Sequence, residues 1–300
     1  MIETSEKFVG SDELQLWAES FGDANRSAVL LIMGGMHQGI MWPDEFCTEI
    51  AQDGYYVIRY DHRDTGQSSS VEFTKHPYSL DDLARDALMI LDGYGIQEAH
   101  LIGTSMGGFL AQLLALDYPD RVLTLTLMMT SPDQRVYFAA TMGEDTSRYE
   151  LPPPSREFLE HLASARRNPP KTTDEAILNA VDGWRICNGN GIPFDAELMY
   201  RLQQRLWARA KTPSAAINHV LATVGSPGRT ERLGRITVPT LVIHGQHDPC
   251  LPIEHGIALA QAIPGAKLLT IPEMGHLLSA GFSTQMAKII LEHLSGTEIR

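Results

Sequence analysis

The sequence predicts an α/β fold in which a mostly parallel central sheet is flanked by helices and interrupted by a helical insertion. Continuous apolar runs alternate along the chain with helical patterns, which is typical of a parallel sheet covered on both faces. A Gly-x-Ser-x-Gly sequence joins one apolar run to a helical pattern. Strand signals stop at about residue 133 and return at about 236. We therefore expect a core domain over residues 1–132 and 236–300 and a helical cap, or lid, over residues 133–235.

The composition is that of a large globular protein with an excess of acidic residues. Its 300 residues, 43% of them hydrophobic, can bury a sizeable core, and the formal net charge is −13. This charge argues against a nucleic-acid partner and against binding to an anionic membrane surface. The amino terminus has no basic segment followed by an apolar one, and no apolar run approaches the length of a membrane span. We expect a cytoplasmic protein that acts on a small molecule.

The cysteines predict a reducing environment. Cys47, Cys187 and Cys250 are odd in number, lie far apart in the sequence and form no C-x-x-C pair. The pattern predicts no cysteine metal site, and each thiol is expected to be buried and inert.

Strand patterns occur on both sides of the insertion. Residues 8–17 alternate apolar and polar side chains around Gly10, which predicts an opening hairpin. The continuous apolar runs predict core strands. These runs lie at residues 28–33, 55–60, 99–104, 122–129, 239–244 and 266–271.

Helix-start signals lie between the strands. Pro43 is placed to begin one helix, and Ser79 with Asp82 three residues later predicts a capping box at the start of the next. Further helix starts are indicated by capping residues and apolar periodicity. They are expected at Ser155, Asp195, Thr212, the segment 255–263 and Ser283, which we expect to cap the last helix.

The serine motif predicts a strained turn. The run 99–104 is the preceding strand, and a helical pattern follows Ser105. To hold a serine at the tip of such a turn, the strand and helix backbones must approach closely, so glycine is needed at Gly103 and Gly107. The Ser105 hydroxyl is therefore expected to project above the sheet edge as a nucleophile.

Two later loops provide an acid and a base. Asp248 follows the strand at 239–244, and His276 follows the strand at 266–271, so both are expected at the sheet edge that carries Ser105. A neutral His276 imidazole can take the Ser105 proton, and Asp248 can orient that ring and stabilise its cation. Ser105, Asp248 and His276 are thus the expected catalytic residues.

The strand at 28–33 leads into a glycine pair that can complete an anion site. Glycine lets the backbone approach a ligand closely, and the N–H of Met106 begins a helix where it has no intrahelical partner. The N–H groups of Gly35 and Met106 are the expected oxyanion hole.

Other residues offer alternatives. Asp133 follows the strand after the serine unit and competes with Asp248 as the acid. His244 and His247 could be metal ligands, but they leave a strand and no further His-rich motif accompanies them, so no metal site is expected. The polar loop 61–68 is interpreted as a hydrogen-bonded structural loop.

With these residues assembled, the chain resembles the α/β-hydrolase superfamily over essentially its full length. The resemblance rests on the motif around Ser105 and on the chain order Ser105, Asp248, His276. It implies the α/β-hydrolase fold and serine chemistry of the ester-hydrolysing type. Many members have histidine before the first loop glycine, whereas this chain has Met33 there, and this leaves the support of the loop open.

A narrower resemblance is to a methylesterase of anthracycline biosynthesis. It is carried by residues 42–46, by residues 57–66 and, in the insertion, by residues 191–195. The segments 135–149 and 212–229 are less similar and are expected to line the roof of the pocket.

The expected function is that of a serine carboxylic-ester hydrolase that works through an acyl-enzyme. The narrower resemblance implies methyl esters of polycyclic aromatic metabolites, and the expected partner is a small-molecule ester with no cofactor. The same three residues also serve carbon–carbon bond hydrolysis of ring-cleavage products and perhydrolase or haloperoxidase-type reactions. A further alternative is a ligand receptor that keeps the fold without turnover. The sequence does not predict the oligomeric state.

Overall fold

A single eight-stranded sheet forms the centre of the molecule. The computed structural model describes residues 2–296. The strands are β1 (Thr4–Gly10), β2 (Gln15–Phe21), β3 (Ala28–Ile32), β4 (Tyr56–Tyr60), β5 (Ala99–Thr104), β6 (Val122–Met128), β7 (Thr240–Gly245) and β8 (Lys267–Ile271).

The sheet is mostly parallel, as predicted. Its strands lie in the order β1-β2-β4-β3-β5-β6-β7-β8. The expected hairpin β1–β2 and the pair β2–β4 are antiparallel, and the remaining pairs are parallel. Because β5 occupies the middle of this order, the chain that leaves it emerges near the centre of the sheet edge, where open α/β sheets bind ligands.

Helices cover both faces of the sheet. These core helices are α1 (Asp44–Gln52), α2 (Leu80–Gly93), α3 (Met106–Asp117), α9 (Ile253–Ala262) and α10 (Ala280–Leu294). Alternate residues of β3 explain the two layers: Leu30 packs in the cluster that contains α2, α3 and α9, and Leu31 packs in the cluster that contains α1 and α10. Every residue of β3 is buried, as the continuous apolar run predicts.

The helix starts follow the predicted signals with one exception. Ser79 and Asp82 form the capping box of α2. The expectation that Ser283 caps the last helix is wrong, because α10 begins at Ala280 after the N-cap Ser279. Phe282 is buried together with Met286 and Ile290, so the apolar face of α10 extends one turn further towards its start than expected.

Five helices, termed the cap helices, lie between β6 and β7. They are α4 (Arg135–Met142), α5 (Arg156–Arg167), α6 (Thr173–Asn188), α7 (Ala196–Arg209) and α8 (Asn218–Val224). Ser155 caps α5 and Asp195 caps α7, each accepting a backbone N–H with its side chain. A 3-10 turn at Pro213–Ile217 leads into α8. The boundary of a separate cap domain at 133–235 stays a prediction.

None of the helices within residues 2–296 combines the length and apolarity needed to cross a bilayer.

Close backbone packing fixes the turn between β5 and α3. A methyl group at Gly103 would lie 2.4 Å from the Gly107 carbonyl oxygen, and one at Gly107 would lie 2.0 Å from the Ile32 carbonyl oxygen. Real side-chain carbons do not approach oxygen atoms this closely, and the obstructing atoms belong to backbone. The expected need for glycine at both positions is therefore confirmed.

We expect Gly107→Ala to lower the free energy of unfolding by about 2 kcal/mol or more, since the new methyl group forces β3 and α3 apart. Urea denaturation of the whole chain measures this change. Gly234→Ala is the matched control, because a methyl group at Gly234 meets no atom within 4 Å. Equal effects of the two substitutions would contradict the packing argument.

Candidate active site

Ser105 occupies the tip of the turn between β5 and α3 in a strained conformation. Its φ is 52° and its ψ is −121°, a backbone geometry that residues other than glycine rarely adopt. The Ser105 N–H donates to the Met128 carbonyl, and the Ser105 carbonyl accepts from Thr130 Oγ1 at 2.7 Å and from the Gly108 N–H. These bonds to β6 and α3 hold the strained turn in place.

The glycine loop, defined as Met33–His37, lies directly against this turn. A methyl group at Gly34 would lie 3.3 Å from Ser105 Cβ and 3.9 Å from its Oγ. One at Gly35 would lie 3.1 Å from Met106 Sδ. Met106 is the first residue of α3, so its N–H has no acceptor within the helix. The structure thus brings Gly35 and Met106 next to each other beside Ser105, and their role as oxyanion donors stays a prediction.

His276 and Asp248 form a direct hydrogen bond. His276 Nδ1 donates to Asp248 Oδ2 at 2.7 Å, which leaves the lone pair on Nε2. The other oxygen of Asp248 accepts the N–H groups of Cys250 and Leu251, each at 2.8 Å. The His276 N–H donates to the Cys187 carbonyl at 2.6 Å. Both partners are therefore held at more than one point.

The charges of this pair stabilise each other against burial. Burial raises the pKa of Asp248, but the charge and hydrogen bond of His276, the charge of His244 and the Leu251 N–H together outweigh burial, and the net pKa is lowered. Burial likewise lowers the pKa of His276, and Asp248 more than compensates, so the net pKa lies above its ordinary value. The imidazole is thus a stronger base than an isolated buried histidine.

Ser105 and His276 line one cavity of about 390 Å³. In the described part of the chain, residues 2–296, Ser105 Oγ and His276 form no hydrogen bond with each other. In proteins without bound substrate, such bonds are often long and shorten only when substrate binds. The structure therefore gathers the predicted nucleophile and base around one space and joins the base to the acid.

Asp133 and His247 do not take part in this arrangement, whereas the Nε2 of His244 lies 3.4 Å from Asp248 Oδ2. Asp133 pairs with Arg135 through several hydrogen bonds, one of 2.5 Å. His244 is fully buried and donates Nε2–H to the Leu251 carbonyl at 2.7 Å, whereas His247 is exposed. Side chains with metal-ligand spacing in the described part of the chain are Asp248, Cys250 and His276, and neither His244 nor His247 belongs to that group.

The cavity wall is mainly apolar and aromatic. Its Phe, Tyr and Trp side chains come from α3, the cap helices and the segment before α1, and are Phe109, Tyr137, Phe138, Phe158, Trp184 and Trp42. Tyr137 and Phe138 belong to the segment 135–149, and Val220 and Thr223 belong to the segment 212–229, so both segments line the pocket as expected. His37 of the glycine loop contacts Trp184 with ring centroids 4.9 Å apart and ring planes tilted by 46°.

The loop 61–68 is structural, as interpreted. The buried carboxylate of Asp61 accepts the N–H groups of Gly39 and Gln67 and pairs with Arg209 of α7 at 2.9 Å. Asp64 accepts the Tyr78 hydroxyl at 2.7 Å. This loop therefore joins the core to the cap helices.

The sequence did not reveal that two cysteines meet at the site. Cys187 Sγ and Cys250 Sγ are 3.5 Å apart, both are buried, and both line the cavity. Cys187 lies at the end of α6, and Cys250 lies in the loop that carries Asp248. The two thiols therefore meet where a cap helix contacts this loop. Their separation of 63 residues gave no local signal.

Comparison with known proteins assigns the chain to a protein family. The family model for the alpha/beta hydrolase fold matches residues 27–280, and the chain belongs to this family. It is a hydrolase, because the relatives that align with nearly the whole chain are hydrolases. A hydrolase structure from Pseudomonas aeruginosa superposes with a TM-score of 0.72 at 26% identity, covering 97% of this chain and 98% of that one.

Two more similar relatives are rhodomycin D methylesterases. One, from Streptomyces peucetius, is 39% identical over 96% of this chain and 97% of its own length. The other, from Streptomyces sp. strain C5, is 40% identical over 96% of this chain and 97% of its own length. The predicted resemblance to methylesterases that act on anthracyclines is therefore confirmed.

We expect Asp248→Asn to lower kcat by about 10³ to 10⁴, because the amide no longer favours the Nδ1–H form of His276 or its cation. The pKa of His276 should also fall, since Asp248 is what raises it against burial. The neutral base then persists to lower pH, and the acid limb of kcat/KM should move to lower pH. Steady-state kinetics across a pH series measure both effects.

Asp133→Asn is the matched control and should leave the acid limb in place, because Asp133 pairs with Arg135. A shift caused by Asp133→Asn, with none from Asp248→Asn, would reassign the acid.

Proposed function

We propose that the chain is a serine carboxylic-ester hydrolase that demethylates carboxylic methyl esters of polycyclic aromatic metabolites through an acyl-enzyme. The observation that carries this proposal is the pairing of His276 with Asp248 at the cavity that Ser105 lines. The identity of 39–40% with rhodomycin D methylesterases supports the methyl-ester substrate class.

The first half of the reaction forms the acyl-enzyme. Ser105 Oγ attacks the ester carbonyl carbon while His276 Nε2 takes the hydroxyl proton, and the carbonyl oxygen becomes an oxyanion. The N–H groups of Gly35 and Met106 stabilise that oxyanion. The tetrahedral intermediate then loses methanol, whose oxygen receives the proton held by His276, and the acyl group stays on Ser105.

The second half releases the carboxylic acid. Water attacks the acyl carbon as His276 takes one of its protons, and the second tetrahedral intermediate forms at the same oxyanion site. Collapse of this intermediate breaks the bond to Ser105 Oγ, which regains its proton from His276. All proton transfers use one imidazole, and Asp248 holds that imidazole with Nε2 free.

The cavity wall favours a planar apolar acyl group. Aromatic side chains such as Phe109, Phe138 and Trp184 line a space of about 390 Å³, which lies in the range of pockets for drug-sized ligands. Stacking between aromatic rings contributes about 0.5–1.5 kcal/mol per pair beyond the burial of apolar area. A polycyclic acid can make several such contacts at once, whereas a single ring can make few.

We expect wild-type enzyme to hydrolyse the methyl ester of an anthracene carboxylic acid with kcat/KM at least tenfold above that of methyl benzoate. The reason is the additional apolar and aromatic contact area. Methanol release, measured with both esters, checks this. Cleavage of a dienoic ring-cleavage product without ester hydrolysis would favour carbon–carbon bond hydrolysis instead, and saturable binding without turnover would favour a receptor.

We expect Ser105→Ala to abolish labelling by a fluorophosphonate probe and to lower kcat by about 10⁴ or more. Ser283→Ala is the matched control, because Ser283 is a buried serine of α10 and does not line the cavity. Labelling that persists in Ser105→Ala would identify a different nucleophile.

A further inference from the structure

We propose that His219, on cap helix α8, is a positioning residue that holds the glycine loop and thereby aims the Gly35 N–H at the oxyanion. This inference rests on the proposed function, because it concerns the oxyanion that forms during ester hydrolysis. It concerns the loop whose support the sequence left open at Met33.

The contacts of His219 define both its position and its tautomer. Its Nδ1 accepts the Met36 N–H at 2.8 Å, and its Nε2 lies 2.8 Å from the Arg63 carbonyl oxygen. A carbonyl oxygen can only accept, so Nε2 carries the proton and Nδ1 offers the lone pair. The side chain is 1% exposed. Burial lowers its pKa to about 4, which keeps the ring neutral and Nδ1 available.

The glycine loop needs such an acceptor because its turn is strained. The His37 N–H donates to the Gly34 carbonyl at 3.4 Å, closing a four-residue turn. Met36 is the third residue of this turn and has a φ of 68°, where glycine or asparagine is normally found. A methionine there costs on the order of 1 kcal/mol. Rotation of the Gly35–Met36 peptide would relieve this strain.

His219 opposes that rotation, because the rotating peptide carries the Met36 N–H. Turning it away would leave the buried Nδ1 without its donor, which costs about 1–3 kcal/mol, whereas Met36 is 44% exposed and its N–H can bond to water. The cost of leaving Nδ1 unpaired is therefore at least as large as the strain, and it favours the strained turn. The same peptide is joined to Gly35, whose backbone lies so close to Met106 that an added methyl group would be 3.1 Å from Met106 Sδ.

His62 holds the other end of the loop. Its Nε2 donates to the Met33 carbonyl at 2.9 Å, and its ring meets the His219 ring edge-on at 5.6 Å. His62 is fully buried, and among the described residues its Nδ1 has no partner, as expected for a neutral ring protonated on Nε2. Two neutral imidazoles, one from the core and one from the cap, thus bind the first and fourth residues of the loop.

Two substitutions at one position separate this role from packing. In His219→Asn, the side-chain oxygen can occupy the place of Nδ1 and accept the Met36 N–H. In His219→Gln, the side-chain amide can occupy the place of Nε2 and donate to the Arg63 carbonyl, but the acceptor for Met36 is lost. Both substitutions replace the imidazole ring with an open-chain amide, so a role in packing alone predicts similar losses of kcat.

We expect His219→Gln to lower kcat about tenfold or more with KM changed by less than about twofold, because the oxyanion interaction strengthens in the transition state. His219→Asn should keep kcat within about threefold of wild type. Methyl-ester hydrolysis gives both constants, and thermal unfolding shows that each variant is folded. Equal kcat losses in the two variants, or a loss confined to KM, would overturn the proposal.

A second-site substitution tests the strain directly. Glycine adopts the φ of Met36 without cost, so the kcat loss from His219→Gln should be several-fold smaller in a Met36→Gly background than in the wild-type background. The comparison uses Met36→Gly itself as the reference. A loss of the same size in both backgrounds would show that His219 does not act by holding this turn.

If the His219 variants are unfolded at the assay temperature, His62 provides the same comparison. His62→Gln keeps a donor for the Met33 carbonyl, whereas His62→Asn does not, so kcat should be higher for His62→Gln. Equal values would overturn the proposal. Fluorophosphonate labelling of wild type and Ser105→Ala runs alongside: lost labelling in Ser105→Ala with equal His219 variants rejects only the positioning role, whereas retained labelling rejects the proposed nucleophile.

Discussion

The site depends on the left-handed backbone of Ser105. That conformation costs on the order of 1–3 kcal/mol, and it persists only where the surroundings leave no alternative. Here the surroundings are the backbones of β5 and α3, which pass so closely at Gly103 and Gly107 that neither position has room for a methyl group. The same approach places the start of α3 beneath the glycine loop. One packing constraint therefore positions the serine and both candidate N–H donors.

Burial acts differently on His276 than on two other histidines that line the cavity, His37 and His219. Burial lowers the pKa of His37 and of His219 to about 4, so neither carries a charge near neutral pH. His276 differs because Asp248 raises its pKa against the same burial. A charged His37 would oppose the His276 cation that forms during catalysis. Its neutrality keeps the carboxylate of Asp248 as the dominant charge at the base.

Local sequence signals predicted the parts of the molecule that local physics determines. The strand run 28–33, the capping box at Ser79 and the glycines of the serine motif each follow from burial, hydrogen bonding or steric exclusion over a few residues. The sequence signal at Ser283 predicts the start of α10 too late, because the burial of Phe282, a tertiary effect, extends the helix.

Contacts between distant segments had no comparable signal. His219 lies 183 residues from Met36, and Cys187 lies 63 residues from Cys250. Nothing in the spacing or chemistry of these residues identifies a partner, because each has an ordinary interpretation as a buried polar or apolar side chain. Asp248 and His276 were an exception, since their order after successive strands predicts that they meet at one edge of the sheet.

The cap helices are tied to the catalytic core through buried polar contacts. Arg209 of α7 pairs with the fully buried Asp61, and Gln38 donates to the Leu206 carbonyl at 2.7 Å. Breaking a buried ion pair costs about 3–5 kcal/mol, so the cap helices and the loops beneath them favour one relative position. The cap helices α4, α5, α6 and α8 also line the cavity, and His219 of α8 holds the Met36 N–H, so changes in α8 suited to a new substrate alter the support of the glycine loop. Substrate choice and oxyanion geometry are therefore coupled through the same short segments of chain.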